Sequence, residues 1–259
     1  MGILNVTPDS FSDGGRYLNP RRAVAHALQM QEEGADLIDV GAESTRPGAR
    51  PISAAEEMRR LLPVLDRIAG KLKIPVSVDT YKPSVAEAAV KAGAGLINDV
   101  TALRDPRMPE TVARAGVPVI LMHMRGTPRT MQRSPRYRRL IPEILSDLKR
   151  SIRKAESAGV SRDKILTDPG LGFGKRPEDN LLLIRSIGVF KALGFPVVIG
   201  PSRKSFIGHV SGAPADQRLC GTAVAVAIGV FGGADIVRVH DVAAMRQAAA
   251  VAEAVRHTS

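Results

Sequence analysis

Cysteine is nearly absent from this chain of 259 residues: Cys220 stands alone. One thiol cannot close an internal disulfide or supply a cysteine-rich zinc site. Tryptophan is missing, and the other aromatics are three tyrosines and six phenylalanines. A stacking platform for single-stranded nucleic acid would have few rings to use. Long apolar runs are lacking too. The longest uncharged stretch, 219–234, is broken by glycines and falls short of the ~20 residues that a membrane span needs. No basic segment followed by an apolar core opens the chain, so no signal peptide is expected. Val6 stands where a myristoylation motif wants Ser or Thr. These absences point to a soluble, cytoplasmic protein with no membrane partner. What is present is ordinary globular composition, 44% hydrophobic and 24% charged, with a formal net charge of +11. That charge fits either a nucleic acid or a small anionic substrate.

A pattern recurs along the chain. A helix-like stretch ends in glycine, a few residues follow, and an apolar run begins. The glycines are Gly34, Gly93, Gly116, Gly159, Gly194 and Gly233, each suited to a left-handed helix cap. The runs are 37–41, 96–100, 117–122, 165–168, 197–200 and 236–240, joined by 2–6 and 75–79. Near-continuous apolar runs are typical of strands buried on both faces in parallel sheets. Between them the sequence predicts helices from Pro20, where Asn19-Pro20 reads as an N-cap, and from Ser53, where Glu56 completes a capping box. Further helices are expected over 82–92, 108–115, 140–158, 178–193, 216–232 and 241–256. Eight strand-then-helix units predict one α/β domain over 1–259, a (β/α)8 TIM barrel. A doubly wound open sheet is the alternative.

The C-terminal strand ends are polar. They carry Asn5, Asp39, Asp79, Asn98 with Asp99, His123, Asp168, Ser202 with Arg203 and Lys204, and Arg238 with His240. In a barrel these ends converge on one mouth, where active sites lie. Polar strand ends are common, because the chain leaves the core there; eight of eight argues for a shared site. Asp79, Asn98 and Asp168 suit a flat heterocycle rich in N–H donors. Arg203, Lys204, Arg238 and His240 suit phosphate or pyrophosphate. Long loops at 7–15, 42–52 and 123–135 read as lids. The run 170–175, Gly-Leu-Gly-Phe-Gly-Lys, has a glycine-loop character but lacks P-loop spacing. Cys220 is expected in the core, and His123, His209 and His240 lack the spacing of a zinc triad.

Blocks of these residues closely resemble the signatures of the dihydropteroate synthase family of pterin-binding enzymes. They are Met1–Gly15 with its Asn5-Val6-Thr7-Pro8-Asp9-Ser10-Phe11 core, and Asp39–Gly48 with Glu43-Ser44-Thr45-Arg46-Pro47. Ser77–Thr80, Ile97–Val100, Leu121–Met124, Asp168–Lys175, Ser202–Gly208 and Arg238–Asp241 complete the set. The resemblance implies a (β/α)8 barrel, a homodimer and a folate-pathway transferase targeted by sulfonamides. The implied reaction joins p-aminobenzoate to 6-hydroxymethyl-7,8-dihydropterin pyrophosphate, SN1-like and Mg2+-assisted. It implies a pterin site of Asp79, Asn98, Val100, Met122, Asp168, Gly200 and Lys204, and a pyrophosphate site of Asn5, Thr45, Arg238 and His240. Asn5 would be the Mg2+ ligand. Phe11, Thr45, Arg46, Pro47, Phe173, Ser202, Arg203 and Lys204 would bind p-aminobenzoate. Catalysis would fall to Asp79, Lys204, Arg238 and His240, and Asp13 would pair with Arg46 when the lids close.

Two features depart from that family pattern. The first signature begins at Met1, so the barrel floor is expected to be less covered. The loop 125–139 carries Arg125, Arg129, Arg133, Arg136, Arg138 and Arg139 with no acid, which is either a solvated loop or a lure for an anionic substrate. Two other functions compete. A methyltetrahydrofolate-dependent methyltransferase shares the pterin acids, but it leaves Ser202-Arg203-Lys204 and the Thr7–Gly15 lid unexplained together. A basic RNA-binding protein rests on charge alone and predicts salt-dependent binding without turnover.

Overall fold

The computed structural model describes residues 1–7 and 19–258. Among them are eight short strands: β1 (Gly2–Asn5), β2 (Ile38–Gly41), β3 (Val76–Asp79), β4 (Leu96–Asp99), β5 (Val119–Met122), β6 (Ile165–Asp168), β7 (Val198–Ile199) and β8 (Ile236–Val237). The helices are α1 (Pro20–Glu32), α2 (Ala54–Ile68), α3 (Pro83–Lys91), α4 (Met108–Ala115), α5 (Leu140–Ser157), α6 (Pro177–Arg185), α7 (Ile187–Lys191), α8 (Ser205–Ser211), α9 (Leu219–Phe231) and α10 (Val242–His257).

Strands β1 to β6 pair in chain order, and β7 pairs with β8, all in parallel. Two seams close the ring. Thr167 bridges to Val197, and Gly2 bridges to Val239. At the second seam the Ile3 N–H donates to the Val239 carbonyl at 2.9 Å, and the Val239 N–H donates to the Met1 carbonyl at 2.9 Å. The first strand therefore meets the last, which makes the sheet a (β/α)8 barrel and excludes the open doubly wound alternative.

Local sequence accounts for most element ends. Asn19 accepts the Arg21 N–H at 2.9 Å, with Pro20 in the first turn of α1. Gly116 closes α4 in the left-handed region at φ 66°, and the other glycines of the recurring pattern also have positive φ. At α2 only half of the expected capping box forms. Ser53 accepts the Glu56 N–H at 3.2 Å, but the Glu56 carboxylate turns to Arg59 and Arg60. The helix expected over 178–193 is two helices, because Ser186 turns its N–H onto both Leu182 and Leu183 and breaks the run. Residues 205–211 form α8.

Side chains alternate in and out along each strand, and this sorts the barrel vertically. Met1, Leu37, Leu96, Ile120, Leu166 and Val198 pack together, with Ile236 against them, as an apolar floor. All six are under 10% exposed. The opposite parity, including Ile38, Val40, Val78, Ile97, Val119, Leu121 and Ile165, packs outward against Ala27, Leu61, Val85 and Ala89 of the helices. Two residues above the floor on the inward parity lie Asp39, Asn98, Met122, Asp168, Gly200 and Arg238.

Cys220 corrects another expectation: it is exposed. Helix α9 is apolar all round, so composition does not choose its inner face. Close approach does. A Cβ at Gly229 would stand 2.2 Å from Ile199 Cδ1, and one at Gly221 would stand 2.3 Å from Ile207 Cγ2. The glycine side must face the barrel, leaving Leu219, Val224, Ile228 and Phe231 exposed.

Candidate active site

The inward strand ends gather a charge network. The Arg238 Nε donates to Asp39 Oδ2 at 2.6 Å, and its Nη2 donates to Asp79 Oδ2 at 3.2 Å. Asn98 Nδ2 donates to the same Asp39 oxygen at 3.2 Å. Asp39 is fully buried, and its Oδ1 and the neighbouring Ser77 hydroxyl have no hydrogen-bond partner among the described residues. Thus Asp39 joins the site although the family resemblance does not assign it there. Its inward parity, two residues from Leu37 and two from Gly41, is the signal that marks it.

Asp168 lies across the mouth and accepts the Gly170 N–H at 2.6 Å. Lys204, at the N-terminal edge of α8, holds its Nζ 4.2 Å from the centre of the Phe173 ring. Val100 and Met122 join Met124 and Met131 in a small apolar cluster, with Phe173 and Tyr81 packed on it. Polar groups that accept and donate thus stand beside flat apolar walls, as a heterocycle site requires.

Burial shifts these groups strongly. Desolvation lifts Asp79 to about 8, against the pull of Arg238 and with the help of Asp39. It lifts Asp168 to about 6, opposed by the Gly170 N–H and by Lys175, Lys204 and Arg238. Lys204 falls to about 8 through burial and the nearby Arg238. Burial also works against the Arg238 charge, but Asp39 and Asp79 outweigh it and hold the guanidinium ionised. His240 falls to about 3 through burial, Arg238 and Arg203, so its ring is neutral. Its Nδ1 lies 2.9 Å from the Ser202 hydroxyl, which also accepts the His240 backbone N–H at 3.2 Å.

Not every polar strand end reaches the mouth. Asp99 has the outward parity and binds Thr101 and Leu103, fixing the turn after β4. His123 also turns away, toward Asp147 of α5 at 3.3 Å and Lys175 at 3.1 Å. Arg203 adopts φ 54° and places its fork on Asp241, its Nε at 3.0 Å. Thr45 and Arg46 are half-buried and Pro47 is exposed in the loop after β2. Arg46 is near enough to Lys204 and His240 to contribute to lowering both. Asn5 is half-buried at the end of β1. A Cβ on Gly41 would lie 3.8 Å from Asn5 Oδ1 and 3.7 Å from Asp79 Oδ2, so both oxygens flank the same glycine at ordinary contact distance. Phe11, Asp13 and the rest of the first lid beyond Thr7 lie outside the described residues.

The loops interlock. The Gly48 N–H donates to the Pro128 carbonyl at 3.0 Å, and Gln132 Nε2 donates to the Gly172 carbonyl at 2.9 Å. Glu43 at the root of the second loop accepts from Tyr81 and pairs with Lys82, which also pairs with the buried Glu57. Among the basic residues of loop 125–139, Arg125 is committed to Glu143 at 2.7 Å and to the Tyr137 ring. Among the described residues no group of three or more His, Cys, Asp or Glu side chains is arranged to hold a metal ion. No helix there is long and apolar enough to cross a membrane.

Comparisons with known proteins converge. Residues 1–240 match the family model described as pterin binding enzyme. The chain is 48% identical over 256 residues to dihydropteroate synthase of Bacillus subtilis, covering 98% of this chain and 87% of that protein. It is 44% identical over 254 residues to dihydropteroate synthase of Escherichia coli, covering 98% and 90%. Among solved structures, Yersinia pestis dihydropteroate synthase with a sulfonamide drug superposes with TM-score 0.97 at 43% identity, covering 100% of this chain and 94% of that one. The Xanthomonas albilineans enzyme with 4-aminobenzoic acid superposes with TM-score 0.93 at 47% identity, covering 100% and 93%. With a pterin-binding match over nearly the whole barrel and relatives this similar, the chain belongs to the dihydropteroate synthase family of pterin-binding enzymes.

Proposed function

We propose that this barrel mouth joins p-aminobenzoate to 6-hydroxymethyl-7,8-dihydropterin pyrophosphate, using the residues that converge on Arg238. The observation that carries the reading is one polar patch set between the apolar floor and the methionine cluster: the buried Asp39, Asp79, Asn98 and Asp168 with the half-buried Lys204 and Arg238. Asp79, Asn98 and Asp168 receive and donate to the pterin edge, with Lys204 and Phe173 beside it and Val100, Met122 and Gly200 shaping the pocket. Arg238 stands between the pterin acids and the diphosphate end.

The C–O bond to the diphosphate breaks first, and its electron pair leaves with pyrophosphate. The methylene carbon is left as a cation conjugated with the pterin, next to the Asp79 carboxyl group. Arg238 meets the negative charge growing on the leaving group. Ser202, donating its O–H to His240 Nδ1, leaves Nε2–H as a second donor for that charge. The aniline nitrogen then forms the new C–N bond and sheds a proton. For p-aminobenzoate, Pro47, Phe173 and Phe11 are the proposed walls, and Ser202 with Arg203, Thr45 and Arg46 the proposed carboxylate end.

The donor set fits magnesium of the kind that relies on substrate phosphates: Asn5 offers one neutral hard oxygen, and diphosphate and water complete the shell. Bound there, the ion would draw charge from the departing diphosphate. We also propose that the enzyme works in the cytoplasm as a homodimer. Val224, Ile228 and Phe231 of α9 with Val251 and Val255 of α10 are each at least 50% exposed, an apolar face that a second copy would cover. Sedimentation should find a dimer that Ile228→Asp with Phe231→Asp converts to monomer.

The deciding experiment supplies both substrates and Mg2+ and measures dihydropteroate and pyrophosphate. Folded protein that forms neither would sink the proposal, and unchanged turnover in Asp79→Ala or Lys204→Ala would remove that residue from it.

A further inference from the structure

Lys175 is buried behind the site, and among the described residues its hydrogen bonds reach the proposed p-aminobenzoate and diphosphate groups only at the Phe173 backbone. Its Nζ is 3.0 Å from the Phe173 carbonyl, 3.4 Å from the His123 carbonyl and 3.1 Å from His123 Nδ1. An ammonium has three N–H donors, and three acceptors surround it. His123 is itself buried, and its Nε2 faces Asp147 of α5 at 3.3 Å. A ring that accepts at Nδ1 and donates at Nε2 must be the neutral Nε2–H tautomer. The chain Lys175–His123–Asp147 therefore runs from a buried cation to a half-exposed carboxylate on the barrel's outer layer.

This chain grips the loop that presents Asp168. Gly170, which donates its N–H to Asp168, sits so close to β5's end that a Cβ would lie 2.0 Å from the His123 carbonyl oxygen and 3.4 Å from Lys175 Nζ. The same His123 carbonyl is one of the acceptors of Lys175. We infer that Lys175 is a positioning residue for pterin recognition: with His123 and Asp147 it pins the 168–175 loop against β5 and supplies the buried counter-charge that keeps Asp168 a carboxylate. The inference rests on the proposed role of Asp168 toward the pterin.

The surrounding charges fit that role. Asp168 is faced by Lys175 from its own loop, Lys204 from the edge of α8 and Arg238 from β8. Lys175 is faced by Asp168, by Lys204, by Asp179 of α6 and by Arg125 of the loop after β5. His123 is faced by Lys175, Arg125, Arg104 and Asp147. Burial pulls Lys175 down to about 7, so Asp168 and Asp179 matter to its charge as it matters to theirs. Burial and the cations beside it take His123 to about 2, which agrees with a neutral ring.

The test needs one wild-type measurement and one double-mutant cycle. In labelled wild-type protein, nitrogen NMR should show His123 as the neutral Nε2–H tautomer from pH 5.5 to 9; an imidazolium or an Nδ1–H tautomer would overturn the inference without any variant. In Lys175→Met, the acid limb of kcat/KM for the pterin pyrophosphate should move up by about one pH unit or more, because a carboxylate that loses a close cation is protonated at higher pH. At pH 6 its KM for that substrate should rise roughly tenfold. Lys175→Gln, also neutral, serves if the Met variant does not fold. In an Asp168→Asn background, which has no carboxylate to hold, the same change should leave pterin affinity within about twofold. A Lys175 variant that lowers kcat with no movement of the acid limb, or that acts equally in both backgrounds, makes Lys175 a mere structural lysine. If Asp168→Asn alone leaves pterin affinity unchanged, the assignment of Asp168 fails, and the inference fails with it; if Asp168 matters and Lys175 does not, only the inference fails.

Discussion

The floor and the mouth of this barrel are built on the same inward-facing positions of the same strands, yet they differ in almost every physical respect. Leu37, Leu96, Ile120 and Leu166 fill the floor with hydrocarbon, and two residues further along stand Asp39, Asn98, Met122 and Asp168. The floor side chains carry no titrating group. The mouth contains carboxylates that burial pushes up to about 8 and about 6 and a lysine that burial pushes down to about 8. One end therefore stabilises the fold, and the other holds charges whose burial costs stability and which are ready to meet a charged, donor-rich substrate.

The sharpest break of that comparison is truncation at the mouth. Asp79→Ala or Lys204→Ala should lower kcat/KM by about 10²–10⁴, with melting temperature close to that of the wild type. Steady-state kinetics beside calorimetry reads both. The converse change is at the floor: Ile120→Ala should cost about 2–5 kcal/mol of stability, read by denaturant unfolding, while kcat stays within about twofold of wild type.

Asp39→Asn tests whether this acid, to which the family resemblance gives no role, belongs to the mouth. It removes the charge that Arg238 contacts at 2.6 Å, and a charge-assisted hydrogen bond of about 1.5–3 kcal/mol implies roughly a ten- to hundredfold loss in kcat/KM. A stability loss with normal kinetics would move Asp39 to the structural side.

Proton linkage gives a subtler contrast. The Asp79 carboxyl is raised by burial to about 8 in the folded protein, against about 3.9 in an unfolded chain. The folded state then holds that proton more tightly, so the contribution to stability is fully present below about pH 3.9 and is lost as pH rises through 8. Asp79→Asn should remove this slope, so the variant gains on wild type steadily from pH 4 to pH 8 in chemical denaturation. A floor substitution such as Ile120→Val should give a difference that does not vary with pH.

The smallest effect is expected at the loop 125–139. Reversing Arg129, Arg133 and Arg136 to Glu should slow association of the pterin pyrophosphate several-fold at low ionic strength, and about 0.5 M salt should erase the difference. An unchanged rate at low salt would leave this loop as solvated surface.

The strand ends show how much of the site was legible before the fold was known. All eight polar ends are visible in the sequence, and so are the glycines that punctuate the helices. What could not be read is which polar residue faces in. Because these strands are buried on both faces, both parities are apolar in mid-strand, and no alternation marks the barrel axis. Asn98 and Asp99 are neighbours of equal promise; ladder register sends one to Asp39 and the other to the turn at Thr101–Leu103. His123 looked like a mouth residue and lies behind it, bonded to Lys175. Cys220 looked buried and is exposed, since α9 is apolar on every side and only the close approach of its glycines chooses the inner face.

By itself the sequence determined the number and order of the strand–helix units, the helix stops, and the family signatures, because these depend on composition and on neighbours within a few residues. Only the tertiary structure decided that Arg238 lies between Asp39 and Asp79, that Lys175 grips the Asp168 loop through His123, and that the floor is apolar while the mouth is charged. Those facts depend on contacts between residues far apart in the chain, such as Asp39 and Arg238, and on strand register, which moves a side chain from one face to the other with each single-residue step.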